Sequence, residues 1–435
     1  MRVASHDREI VRLALPAMAA LAADPLLSLV DTALVGRLGA VPLAALGVSV
    51  ALFTLAFFGF NFLTYGTTAE VARLRGAGRQ DAASLYALQA LWLAVLLGAA
   101  TTFVLLVAAP LLLGVMGASG DVAEAGLVYL RIRALASIPV LVVLVGHGAF
   151  RGCKDMRTPL WITGAVNGGN AVASWVLIYP LGLGIAGAAW GTLLAQTAGA
   201  MTFLALGRRR FAPPSLRVEP VAMRRIAGIS RDLFLRTAAL LSGLLISTAV
   251  ATRMGTITVA AHQIARELWT MSAFVLDGFA IAGQAMIGTA LGARRDDEAR
   301  DVAWRLLGWG TGFGFLVGLA YLALTGVLPR VFTTDIEVLA AVGTVWLVVA
   351  ALQPIGAVAF VLDGVLMGAG DFRFLLWSTA LASLGGLAPV CLIALREGWG
   401  LPGIWAGMSV MIVMRAVLTV WRLRSGAWTL VAPQE

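Results

Sequence analysis

Long apolar runs recur from one end of this 435-residue chain to the other, and a helix needs roughly 20 such residues to cross the hydrocarbon core of a bilayer. Twelve runs can be drawn, near 9–36, 44–70, 84–114, 123–150, 158–182, 184–206, 230–251, 260–290, 303–327, 336–366, 374–395 and 400–421. They lack the alternation of a barrel strand, and a lipid-exposed segment must close its own backbone hydrogen bonds, so they read as helices. The expected fold is an all-α membrane protein with twelve transmembrane helices.

The net charge of +9 does not point to nucleic acid, because the arginines sit in short clusters between apolar runs. Arg73, Arg75 and Arg79, then Arg151, Lys154 and Arg157, then Arg208 to Arg210, then Arg294, Arg295 and Arg300, then Arg422 and Arg424 fall on one side. The opposite loops hold mainly Arg37, Arg253, Arg330 and Arg396. The positive-inside rule then places both termini in the cytoplasm, and the expected location is the plasma (inner) membrane. Cys153 and Cys391 stand apart without metal-ligand spacing, so neither a disulfide framework nor a metal site is expected.

The chain is also similar to itself. At an offset of 216 residues, "RGCKDMRTPLWIT" from position 151 aligns with "MGAGDFRFLLWST" from 367. The same register pairs Gly184, Gly187 and Gly191 with Gly400, Gly403 and Gly407, and Arg37 and Gly39 with Arg253 and Gly255. Six spans per copy is an even number, so the copies share one orientation and are expected as two six-helix lobes related by a pseudo-twofold axis along the membrane normal. The polar, proline-bearing segment "RRRFAPPSLRVEPVAMRR" separates them. The expected division is an N-lobe at 1–207, a cytoplasmic linker at 208–225 and a C-lobe at 226–435. The repeat also needs the first run as a span, although "AALAAD" before residue 25 imitates a signal-cleavage site.

Polar groups inside the apolar runs are the candidates for function. A charged group at mid-bilayer costs about 3 kcal/mol, and such residues usually mark ion or substrate paths. Asp24 and Asp31 lie seven residues apart in the first span, on one face and roughly 10 Å apart along the axis. The second half carries Asp277 in "VLDGFA" and Asp363 in "VLDGVL", and the repeat register brings these onto Asn61 and His147. Coupling of a proton or cation is therefore expected at Asp31, Asp24, Asp363 and Asp277. The plain alternative for the LDG pairs is that the glycine permits close helix approach. A lone buried histidine is more often a satisfied packing partner than a titrating group, and His147 is open to that plainer reading. Asn167, Asn170 and Ser174 form one stripe on the fifth span, able to glue helices or to bond a carboxylate across the lobe. With Asn61 and His147 they make the expected substrate or coupling network. Arg131 and Arg133 are expected at the interface, and Arg231, Asp232 and Arg236 at the cytoplasmic surface. Pro16 and Pro25 each remove a backbone hydrogen bond from the first span and are candidate hinges.

These residues resemble the multidrug and toxic compound extrusion (MATE) family, and within it the DinF-like branch. The similarity runs through "PLLSLVDTALVGRLG", "GTTAEVARLRGAGR", "YLRIRALASIP", "RDLFLR", "ALGARRDDEA", "LDGFA" and "LDGVLMGAGD". It implies a cation-coupled exporter of organic, often cationic and amphipathic compounds, not an enzyme. The aspartate that the family keeps in VDT of its first span falls on Asp31, and its fifth-span polar stripe falls on Asn167 and Asn170. Many relatives carry an aspartate where this chain has Ser174, and Asp24 is a candidate to compensate. Asp363 lies on the helix where sodium-coupled relatives keep a carboxylate.

The expected mechanism is proton antiport by alternating access. A carboxylate kept from water is relieved by taking up a proton, and if proton and substrate favour different lobe arrangements, inward proton flow drives export. No cofactor is expected beyond H+ or Na+ as coupling ion. The expected partners are small organic cations and the lipid bilayer, with the chain a monomer. The alternatives are a sodium-coupled exporter and a lipid or lipid-linked oligosaccharide flippase. The flippase predicts a basic cleft, whereas the deep residues read from the sequence are mainly acidic or neutral.

Overall fold

The structure, a computed structural model, describes residues 2–213 and 215–430, without the side chains of residues 2–5, 24–27, 29, 58, 221, 222, 224, 225, 229 and 230. Among the described residues it is all-helical, in twelve segments. The first half has α1 (Arg2–Gly36), α2 (Ala40–Gly76, interrupted by a 3-10 turn at Gly59–Asn61), α3 (Gln80–Val115), α4, α5 (Arg157–Ile178) and α6 (Gly184–Phe211). The second has α7 (Pro220–Met254), α8 (Thr256–Gly292), α9 (Asp296–Ala323), α10 (Ile336–Ala369), α11 (Phe372–Glu397) and α12 (Gly400–Ser425). α4 consists of Gly120–Ala134 and Ser137–Gly152, bent by 49°. Nine of the described helices are each long and apolar enough to cross a bilayer, and the bent α4 makes ten. With α1 and α5 they make up the twelve segments expected from the apolar runs.

The helices keep large apolar residues outward and small ones inward, the arrangement a lipid solvent favours. On α3, Phe103, Val107, Leu111 and Val115 repeat every fourth residue and are all more than 60% exposed, at 68, 65, 69 and 77%. On α9, Gly310, Gly314 and Gly318 face α10, where a Cβ at Gly318 would lie 2.8 Å from the Ala350 carbonyl oxygen and one at Gly314 would lie 2.8 Å from that of Gln353. The first half repeats these contacts one register earlier. A Cβ at Gly98 would lie 2.7 Å from Ile138 Cα, and Thr102 Oγ1 donates to the Ala134 carbonyl at 2.9 Å.

The backbone carries the same register. Positive φ occurs at Gly39 and Gly255 (118° and 120°), Gly182 and Gly398 (64° and 69°), and Gly184 and Gly400 (53° and 61°). It also occurs at Gly78 and Arg294 (75° and 56°) and at Lys154 and Gly370 (59° and 79°). In these last two pairs one copy holds a left-handed turn without glycine, so the turn geometry outlasts the residue that makes it easy.

The chain divides into two compact units, one of Ala19–Ser230 and one of Met1–Met18 with Arg231–Glu435. The start of α1 is therefore counted with the second half, whereas the repeat alone groups it with the first. Packing supplies the reason: a Cβ at Gly278 of α8 would lie 3.0 Å from the Ala14 carbonyl oxygen. Asp7 accepts from Arg305 at 2.7 Å and from the Trp309 indole at 3.0 Å. Among the described residues the non-helical connection between the halves comprises 212, 213 and 215–219, shorter than the segment 208–225, because α6 and α7 continue into it from either side. Gln89 on α3 ties it down, donating to the Arg217 carbonyl at 2.8 Å and accepting from Glu219 N at 2.9 Å.

Each unit has its own apolar interior. In the first, Leu52, Phe53, Leu105, Tyr129, Leu130 and Ile178 pack together. In the second, Trp269, Tyr321, Trp346 and Trp405 join a larger cluster. The Tyr321 and Trp346 rings stack at 5.7 Å, and the Tyr321 hydroxyl donates to the Leu268 carbonyl at 2.7 Å.

Candidate functional site

In the first unit the site is built on α1 and α5. Asp31 is half-buried, and Asn170, fully buried, donates from Nδ2 to its two carboxylate oxygens at 3.3 and 3.5 Å. Ser174, one turn further on α5, donates to Asn170 Oδ1 at 2.9 Å. A hydroxyl donating to the amide oxygen turns the amide nitrogen toward Asp31, so the three side chains form one directed relay. Gly191 of α6 lets this happen: a Cβ there would lie 2.8 Å from Ser174 N. The Tyr179 hydroxyl donates to the Leu34 carbonyl at 2.8 Å and fixes α1 against α5 near the same place. Ser174 thus supports Asn170, where an aspartate would bring a second charge.

Arg133 corrects an expectation. Its guanidinium turns into the unit: it stacks on Phe53 at 4.9 Å, and its Nε and Nη1 are buried without a hydrogen-bond partner. Arg133 follows the bend of α4 inward, which no local sequence pattern announces.

The rest of the expected network does not gather at Asp31. His147 is bound elsewhere in the unit, with Nδ1 3.2 Å from Arg151 Nη2 and Nε2 3.4 Å from Thr163 Oγ1. Arginine can only donate, so Nδ1 accepts and Nε2 carries the proton, giving a neutral, satisfied ring. Asn61 closes the 3-10 turn that interrupts α2, and Asn167 is half-buried on the same stripe as Asn170. The side chains of Asp24 and Pro25 lie outside the described residues. Pro16 is half-buried within an unbroken α1, and the boundary between the two units, Met18 to Ala19, falls between the two prolines.

In the second unit both LDG segments use their glycine for close packing. Gly364 presses on the Ala280 backbone, and a Cβ at Gly278 would meet Met18 and the Ala14 carbonyl. The equivalent approach in the first unit is Gly148 on Thr64, where a Cβ would lie 2.7 Å from the carbonyl oxygen. Asp277 is half-buried on α8. Asp363 is buried, and its Oδ2 accepts from both Arg236 of α7 and Arg415 of α12. This changes the reading of Asp363, which is held by two guanidinium groups instead of standing open to a coupling ion. It also moves Arg236 from the expected surface position to the interior, and it adds Arg415, which the sequence reading passed over. Deep residues are therefore not mainly acidic or neutral, since Arg133, Arg236 and Arg415 all carry buried guanidinium atoms.

Residues 16–176 and 233–392 match the family model described as MatE, one stretch in each half. The chain is 36% identical to Protein DETOXIFICATION 44, chloroplastic, of Arabidopsis thaliana, over 98% of this chain and 85% of that protein. It is 29% identical to DNA damage-inducible protein F of Escherichia coli (strain K12), over 98% of this chain and 94% of that one. A solved structure of MATE in complex with MaL6 superposes with a TM-score of 0.88 at 22% identity, covering 97% of each chain. With both halves matched by one family model and close relatives aligned almost end to end, the chain belongs to the MATE family of multi-pass membrane transporters and is not an enzyme.

Proposed function

We propose that this chain is a proton-coupled antiporter that exports small organic compounds by alternating access, with Asp31 as the group that loads and releases the proton. The observation that carries the reading is the state of Asp31: an intramembrane carboxylate addressed by a neutral amide at 3.3 Å and not ion-paired to any described side chain. A carboxylate in that position can exist charged or neutral without breaking a salt bridge. Ser174 and Asn170 hold its orientation in either form. Cationic amphipathic compounds suit an ionised Asp31, and competition between such a compound and a proton for one carboxylate is the simplest exchange mechanism.

Asp363 favours the proton over sodium. A sodium site needs several open oxygen ligands, and the oxygen of Asp363 that faces α7 and α12 is already shared by two arginines. The two prolines on either side of the unit boundary in α1 support that helix as the hinge. The clustering of Lys and Arg on one set of loops supports cytoplasmic termini, and nothing in the repeat requires more than one copy of the chain.

Purified protein in liposomes, loaded with a cationic dye and given an imposed pH gradient or an imposed sodium gradient, tests the reading. Wild-type protein is expected to move dye in response to the pH gradient alone, and Asp31→Asn is expected to abolish that response and to weaken dye binding. Undiminished pH-driven transport by Asp31→Asn, or transport driven by sodium alone, overturns the proposal.

A further inference from the structure

Arg236, Asp363 and Arg415 bring three helices of the second unit to one point. They are 7, 5 and 2% exposed, respectively. Both guanidinium groups donate from Nη2 to a single oxygen, Oδ2 of Asp363, and both Nε atoms are buried without a hydrogen-bond partner. Arg415 also lies over the Phe360 ring at 5.5 Å. Among the described residues Asp363 is the one acid within ion-pair distance of either arginine.

The charges do not balance. Two guanidinium groups and one carboxylate leave one positive charge in an apolar surrounding. An arginine cannot remove that charge by losing its proton. The unpartnered Nε atoms are donors of the planar fork that suits the two oxygens of a carboxylate or phosphate. Nor is the cluster part of the common framework of the two halves. The repeat register brings Arg236, Asp363 and Arg415 onto Ala20, His147 and Gly199, so the first half folds the same six helices without it.

The geometry points to an oxyanion site at Arg236 and Arg415, which takes the carboxylate or phosphate of an organic compound and completes the charge balance that Asp363 leaves half-finished. Asp363 then has a defined role: it holds the two forks together when the anion is away and keeps the site from carrying two uncompensated charges. A transporter with Asp31 in one unit and this site in the other can take zwitterionic or acidic compounds as well as cations. The site holds whichever ion drives transport, so its test needs no gradient.

The full-length protein in neutral detergent is titrated calorimetrically with succinate and with inorganic phosphate, and in a parallel arm its thermal stability is compared in nanodiscs of phosphatidylglycerol and phosphatidylcholine. Wild type is expected to bind an oxyanion more weakly as sodium chloride is raised. Arg415→Gln and Arg236→Gln each leave a one-to-one ion pair and are expected to weaken binding about tenfold or more, the equivalent of about 1.4 kcal/mol. Arg415→Lys keeps the charge but loses the fork and should fall between. Binding of succinate or phosphate that the Gln variants lose assigns the site to a free solute. Stabilisation by phosphatidylglycerol alone, lost in the same variants, assigns it to a lipid headgroup. If Arg415→Gln fails to fold, Arg236→Gln and Arg415→Lys carry the comparison. No binding in any arm by wild type, or equal binding by folded Gln variants, overturns the inference.

Discussion

The amide of Asn170 reaches both oxygens of Asp31, yet at 3.3 and 3.5 Å it holds neither tightly. Hydrogen bonds to carboxylates are usually shorter, near 2.7–2.9 Å, when they are strong. The contact therefore steers Asp31 without fixing its charge state, in contrast to Asp363 with its two arginines.

From this contact, Asn170→Ala is expected to slow pH-driven dye transport about fivefold, the effect of losing a hydrogen bond of about 1 kcal/mol, while leaving the response to the gradient in place. Ser174→Ala, which removes only the group that orients the amide, should cost less. Initial rates in liposomes across a series of imposed pH gradients check both. Loss of all coupling in Asn170→Ala would make the asparagine itself part of the proton path.

The two register-related glycines predict a matched pair of packing defects. A Cβ at Gly364 runs into the Ala280 backbone, and one at Gly148 runs into the Thr64 carbonyl. Backbone cannot yield as a flexible side chain does. Gly364→Ala and Gly148→Ala are each expected to destabilise their unit by about 1–3 kcal/mol, read as a fall in the detergent melting temperature. Gly164→Ala on α5, where a Cβ meets nothing within 4 Å, is the control expected to leave it unchanged.

Much of this architecture was legible because lipid imposes length and self-sufficiency on every span, and because the 216-residue register repeats not just residues but contacts: Gly98 on Ile138 returns as Gly314 on Pro354. The pairing of Asp31 with the α5 stripe was legible for the same reason, as both are polar positions that lipid rejects. The arginine cluster was equally anomalous in sequence, since an arginine inside "MIVMRAVLTVW" is as costly as an aspartate inside "SLVDTALV", but its three members lie on three helices and only packing brings them together. Which side chains meet could not be read at all for His147 or Arg133. His147 meets Arg151 and Thr163 through the crossing of α4 and α5, and Arg133 turns inward at a bend that has no sequence marker. The unit boundary inside α1 was hidden too, because it depends on packing around Gly278 and not on any change in composition.

His147 gives a prediction that separates packing from transport. Its ring accepts from Arg151 and bonds Thr163 within the first unit. His147→Leu removes an acceptor from a buried guanidinium and is expected to cost about 1–3 kcal/mol of stability. The pH dependence of dye transport by the folded fraction should not change. A shifted pH profile with normal melting behaviour would return His147 to the coupling path.

The start of α1 supplies a pH-dependent test of how the N-terminal residues are anchored. The Trp309 indole and the Arg305 guanidinium donate to Asp7 and hold its carboxyl below its ordinary value. A carboxyl lowered in the folded chain adds stability above its unfolded value, near pH 4, and loses it as pH falls through the folded value. Asp7→Asn should therefore melt below wild type at pH 7, and the two curves should converge as the buffer is taken below about pH 4. Melting followed by intrinsic tryptophan fluorescence, with Arg305→Gln as a second way of removing the same contact, reads the difference. A gap between wild type and Asp7→Asn that persists unchanged at low pH would mean that the amide disturbs packing, and the ionised carboxylate would lose its place as the anchor of α1.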